Sequence, residues 1–197
     1  MNFLAHFHLA WPDEGLVTGG LEGDYVKGPL RGALPPEIER GIRLHRAIDA
    51  YTDGHPLIQQ LRRDLPQSMR RYAGILIDLS FDHYLSRHWS RYSTIPLAQF
   101  NHGIYRTLSN HEYVLSDGAL VMSQRLIKFD LLNLYSDWET VLATATRIGQ
   151  RFKRHNPFQD IDRDLSPARQ TLERAFLNFY PQLQSFCEQR VSALLSS

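Results

Sequence analysis

The sequence predicts an all-α protein, a single-domain helical bundle over residues 1–197. Two observations carry that expectation. Apolar residues recur at three- and four-residue spacing along most of the chain, and the alternation that marks strands is hard to find. Breaks fall at proline- and glycine-containing stretches, and no internal repeat or low-complexity linker divides the chain. A chain of 197 residues also has the size of one domain that buries its own core.

Taken in order, residues 2–10 read as a short apolar helix. Asp13 is the expected N-cap of a second helix running toward Lys27. That segment contains Gly15, Gly19, Gly20 and Gly23, a load costing roughly 1 kcal/mol each in a helix, which points to close packing against a neighbour. Residues 28–32 read as a loop. Pro35-Pro36 opens a third helix, which Asp53-Gly54-His55-Pro56 ends. A helix over 57–65 precedes Pro66, and the longest periodic run, 67–92, stops before Ser93-Thr94-Ile95-Pro96. Helical patterns follow at about 96–109, 117–134 and 136–153. A break at His155-Asn156-Pro157 and a cap signal at Ser166-Pro167 frame a last helix toward Leu195.

Two four-residue ladders stand out in the third helix and in the long run. One is His45, Asp49 and Asp53; the other is Asp78 and Asp82, followed by His83. Four is the helical spacing, so each ladder shares a helix face. Both are set among apolar residues, Ile42, Leu44 and Ile48 around the first and Ile75, Leu79 and Leu85 around the second. A carboxylate on a core-facing stripe needs a cation. Two readings stay open on spacing. Imidazole plus several carboxylates suits Mn, Fe(II), Zn or Mg, with the oxygen-rich set leaning to Mn or Mg. The other reading is a salt-bridge network neutralised by Arg43, Arg46 or Arg87. Asp24, in GGLEGDYVKG, reads as structural when taken alone. His6 is the better placed of the two N-terminal histidines, being four residues after Asn2.

Composition sets further expectations. The lone Cys187 excludes an internal disulfide and suits a reducing compartment. The apolar N-terminus lacks the charged region of a signal peptide, and no stretch reaches membrane-spanning length. The expectation is a soluble, cytoplasmic protein with no membrane partner. Net charge is +1, but with five of the 21 acidic residues internal, 16 would face 22 basic ones outside. Arg62-Arg63, Arg70-Arg71, Arg87 with Arg91, and Arg147, Arg151, Lys153 and Arg154 would then form a basic exterior suited to an acidic macromolecule. Tyrosines are scattered without basic interleaving, which argues against nucleic acid. The chain has no nucleophile elbow, P-loop, H-E-x-x-H or dinucleotide fingerprint.

The segments MNFLAHFHLA, GDYVKG, GIRLHRAIDAYTD and DLSFDHYLSRHWS, in that order, resemble the acyl carrier protein phosphodiesterase (acyl carrier protein hydrolase) family. The resemblance implies a fold related to the HD-domain phosphohydrolases and dependence on a divalent metal such as Mn2+, with Mg2+ or Fe2+ as alternatives. It implies removal of the 4′-phosphopantetheine arm from holo acyl carrier protein. The chain departs from HD enzymes in lacking an adjacent His-Asp pair; Asp82-His83 is reversed. With the resemblance, the metal reading overtakes the network. The expected ligands are Asp24, His45, Asp49, Asp78 and Asp82. His83, or else His6, is the expected acid for the leaving serine oxygen, and Arg46, Arg87 or His88 would neutralise phosphate oxygens. Two rivals remain: a related metal phosphohydrolase acting on a nucleotide or other small phosphate ester, and a helical protein that holds a carrier without cleaving it.

Overall fold

A computed structural model describes residues 2–152 and 156–196, and among them there is no β-strand. Helix α1 (Phe3–Ala10) is apolar except for His6 and His8, and Leu4, Ala5 and Phe7 are wholly buried. It is therefore the centre of the molecule, packed by α2 (Glu14–Glu22), α3 (Pro36–Gly54), α5 (Ala73–Arg87) and α11 (Arg169–Leu195). Helix α4 (Pro56–Asp64) lies against α11, and α6 (Leu97–Asn110), α7 (Asp117–Lys128) and α8 (Leu131–Leu134) close one side. Helix α9 (Trp138–Gly149) packs on α5, and the short α10 (Ile161–Leu165) leads into α11. One hydrophobic cluster runs through these helices from Leu4 to Leu194.

The α2–α3 pair is the closest in the fold, and glycine is the reason. A Cβ on Gly19 would stand 2.2 Å from the Ile38 carbonyl oxygen and 2.7 Å from Gly41 Cα. The two backbones touch where neither has a side chain. Asp13 caps α2 by accepting the Leu16 amide at 2.8 Å, as its position predicts.

Several boundaries differ from the sequence expectation, among them the end of the 67–92 run, which stops at Arg87, and the 136–153 helix, which spans Trp138–Gly149. Helix α2 stops at Glu22 instead of reaching Lys27, because Arg46 donates to the carbonyls of Val26 and Gly28, each at 2.9 Å, and holds that strand of chain as a loop. The long run begins at Ala73, not 67; Met69 and Tyr72 amides turn back to Pro66 and Met69, and 70–72 is a 3-10 turn. The 117–134 pattern breaks at Asp130, which adopts φ 49°. Its carboxylate accepts from Asn133 at 2.8 Å and Tyr105 at 2.9 Å, and these bonds stabilise a left-handed conformation that Asp tolerates. At the C-terminal side, 166–168 forms a 3-10 turn and α11 starts at Arg169. The predicted break at His155, and with it Lys153 and Arg154 of the basic run, lies outside the described residues.

Candidate metal centre

His6 from α1 and His45 from α3 stack face to face, ring centroids 4.2 Å apart and planes 19° apart. Asp49, one turn after His45, sits across their edges: Oδ1 is 3.2 Å from His6 Nε2, and Oδ2 is 3.2 Å from His45 Nε2. Each residue offers a donor atom, and the three donors lie within 4.8 Å of one another. Asp24 flanks the trio, its Oδ1 3.7 Å from His45 Nε2. The histidines are 5% exposed, and the carboxylates open toward solvent.

Local sequence explains the arrangement. His45 fits because Gly23 has no side chain; a Cβ there would come 2.5 Å from His45 Cγ. Asp24 reaches the site because α2 has just ended, and Arg46, one residue past His45, ties down the loop behind it. His6 is delivered by the placement of α1. That placement depends on Asp82, wholly buried on α5, which accepts the Leu4 and Ala5 amides at 2.8 and 3.2 Å. Asn2, at the N-cap position, makes no side-chain cap bond, so Asp82 caps α1 from another helix.

Electrostatics favours a bound cation. Burial lowers the His6 pKa, Asp49 opposes it, and the His45 ring lowers it further. Burial works to raise the Asp49 carboxyl, but its contacts with His45 and His6 outweigh this and hold it well below the usual carboxylate range. Among the described residues, His6 Nε2 has only its 3.2 Å contact with Asp49, and the buried Nδ1 atoms of His6 and His45 have no hydrogen-bond partner. Buried nitrogens without partners beside an ionised carboxylate suit a cation bound between them. The donor set fits a divalent metal.

The structure does not bring all the expected residues together. Both oxygens of Asp82 face backbone amides, and burial, partly offset by those amides, pushes its pKa up to about 7. It acts as a helix cap, not an open ligand. Asp78, a turn earlier, lines a neighbouring cleft. His83 is buried; its Nδ1 bonds the Tyr135 carbonyl oxygen at 2.8 Å and its ring packs edge-on to Trp138. It belongs to the α5–α9 core, because a 100° turn from Asp82 aims it at that helix. Arg46 is committed to loop carbonyls, while Arg87 and His88 converge on Glu173. Asp53 pairs with Arg62 at 2.6 Å. His6, expected as an acid, instead stands with the candidate ligands. No spacing rule links it to the ladder at residue 45, since the two lie on different helices.

The family model described as "Acyl carrier protein phosphodiesterase" matches residues 1–183. The chain belongs to the acyl carrier protein phosphodiesterase family. Proteins of that name from Escherichia coli O6:H1 and Shigella boydii serotype 18 are each 33% identical to it. The first alignment covers 93% of this chain and 95% of the relative; the second covers 94% and 96%. No solved structure matches the chain, and kinship of this phosphodiesterase family to HD-domain enzymes stays an expectation of the resemblance.

Proposed function

We propose that the protein hydrolyses the phosphodiester joining 4′-phosphopantetheine to the serine of holo acyl carrier protein, giving the apo carrier and free 4′-phosphopantetheine. The observation that supports this most directly is the His6–His45–Asp49 trio, two buried imidazoles facing one carboxylate with donor atoms close enough to share a cation, in a chain of this family. His6, His45 and Asp49 would hold a divalent cation, with Asp24 at its open side. When bound, the cation supplies Lewis acidity and activates water near neutral pH. Mn2+ is the first choice. Fe2+ gains on Mg2+ because His6 adds a second imidazole to a set that the ladders alone made oxygen-rich.

The chain's own residues do the rest. Stacking fixes the two imidazoles relative to each other, and Asp49 orients both through opposite oxygens. Asp24, half exposed and 3.7 Å from His45 Nε2, is the group placed to take a proton at the solvent side or to join the ligand set. Asp82 keeps α1, and so His6, in register. The single domain would work in the cytoplasm; among the described residues no helix is long and apolar enough to cross a membrane.

Purified protein, holo carrier and Mn2+ are incubated and the carrier is weighed by mass spectrometry. Loss of the phosphopantetheine mass is expected in the wild type and not in Asp49→Ala. An unchanged carrier mass, with turnover of a small phosphate ester, would move the protein to the small-ester reading; binding without turnover of either would leave a carrier-holding protein.

A further inference from the structure

Beside the metal centre lies a cleft of about 410 Å3 between α5, α7, α8 and α9. Asn2, one turn before His6 at the N-cap of the same helix, lines the cleft, donates to Tyr135 Oη at 2.7 Å, and accepts the His6 amide on its carbonyl at 3.3 Å. The walls are apolar, with Phe3, Ile75, Leu79, Met122, Leu131 and Leu134. The rim is basic. Arg125 comes from α7, Arg147 from α9, and Arg151 from just beyond it. All three are exposed, and among the described residues none makes a side-chain hydrogen bond or ion pair. Three guanidinium groups on one rim repel one another, and an anionic partner relieves that cost.

A larger cavity of about 870 Å3 offers a useful contrast. It lies along the His8–Trp11 side of α1 against α11, and its lining includes Asp13 and Glu188 but no Lys or Arg. That environment disfavours an acidic partner. The smaller cleft combines apolar depth, a cationic rim and, in Asn2 and Phe3, a wall on the helix that carries His6.

We infer that the arginine-rimmed cleft is where acyl carrier protein docks, the arginines facing the acidic carrier and the apolar walls taking the pantetheine arm with any acyl chain on it. The inference rests on the proposed carrier specificity. It assigns substrate selection to α7 and α9, apart from the α1–α3 residues that would carry the chemistry.

The test uses full-length protein and separates binding from turnover. Holo carrier is titrated against wild type and against R125E/R147E/R151E by calorimetry. Both are then assayed on holo carrier and on bis(p-nitrophenyl) phosphate with Mn2+. Weakening of carrier binding by roughly tenfold or more in the triple variant, and a matching fall in the ratio of carrier to small-ester kcat/KM, is expected. Ala143→Trp, which fills the cleft from an exposed lining position, should raise KM most for long-acyl carriers. Equal carrier affinity in wild type and the triple variant overturns the docking assignment. Absence of turnover in a wild type that still binds carrier through these arginines overturns the hydrolytic reading alone.

Discussion

Asp49 touches both histidines of the trio, one with each oxygen, so it is the residue whose loss is felt most. Asp49→Asn keeps the volume and removes the charge. Metal affinity is expected to fall by about a hundredfold or more, read by calorimetry or by metal content after dialysis. His8 provides a residue-scale test unrelated to chemistry. It is half-buried, with Nδ1 2.7 Å from Tyr180 Oη, and desolvation pushes its pKa down to about 4 from 6.5. The folded state thus binds fewer protons than the unfolded state between those values. Its contribution to stability is present above pH 6.5 and is lost as pH falls toward 4. Asp82, raised to about 7, has the opposite slope across an overlapping window. A His8→Gln variant isolates the first effect: the stability gap between it and wild type should shift by about 3 kcal/mol between pH 7 and pH 4, measured by urea unfolding.

At the scale of elements, the site depends on where α1, α2 and α3 stop and touch. Gly23→Ala would drive a methyl group into the His45 ring. We expect helical content to be retained while metal binding weakens by tenfold or more, with circular dichroism and metal titration as the paired readouts. Asp82→Ala strips the α1 N-terminus of its cap and leaves two buried amides unpaired. A loss of about 1–3 kcal/mol is expected in urea unfolding, with weakened metal binding following from a displaced His6. Elements were also where the sequence was least legible. Capping by Asp13 and the Pro35-Pro36 start are local signals, and the structure agrees with both. The end of α2 and the late start of α5 depend on Arg46 and on turns around Pro66, partners that no periodicity encodes.

For the whole molecule, metal binding should couple to folding, since His6 and His45 come from helices separated by α2 and brought together only in the native state. Mn2+ at about one hundred times its Kd would stabilise the protein by about 2.7 kcal/mol, and chelation would reverse this. Differential scanning fluorimetry with and without Mn2+ checks it, and Asp49→Asn should lose the response. The charge distribution belongs to the same scale. A net charge of +1 conceals Arg125, Arg147 and Arg151 on one rim, and only Arg147 and Arg151 were visible as a cluster in the chain. Arg125 joins them because α7 packs beside α8 at the mouth of the cleft.

The sequence alone determined the helical class, the family motifs and the pairing of His45 with Asp49. All three are local or nearly so: helical period, proline and glycine punctuation, and a spacing of four on one face. Tertiary structure decided which carboxylates meet the imidazoles. Asp78 and Asp82 share a face just as His45 and Asp49 do, yet the packing of α1 on α5 turns Asp82 into a helix cap and brings His6 to Asp49 instead. A ladder specifies a direction around its own helix; which neighbour lies in that direction is set by side-chain volume at the contact, here by the missing side chains of Gly19, Gly23 and Gly41.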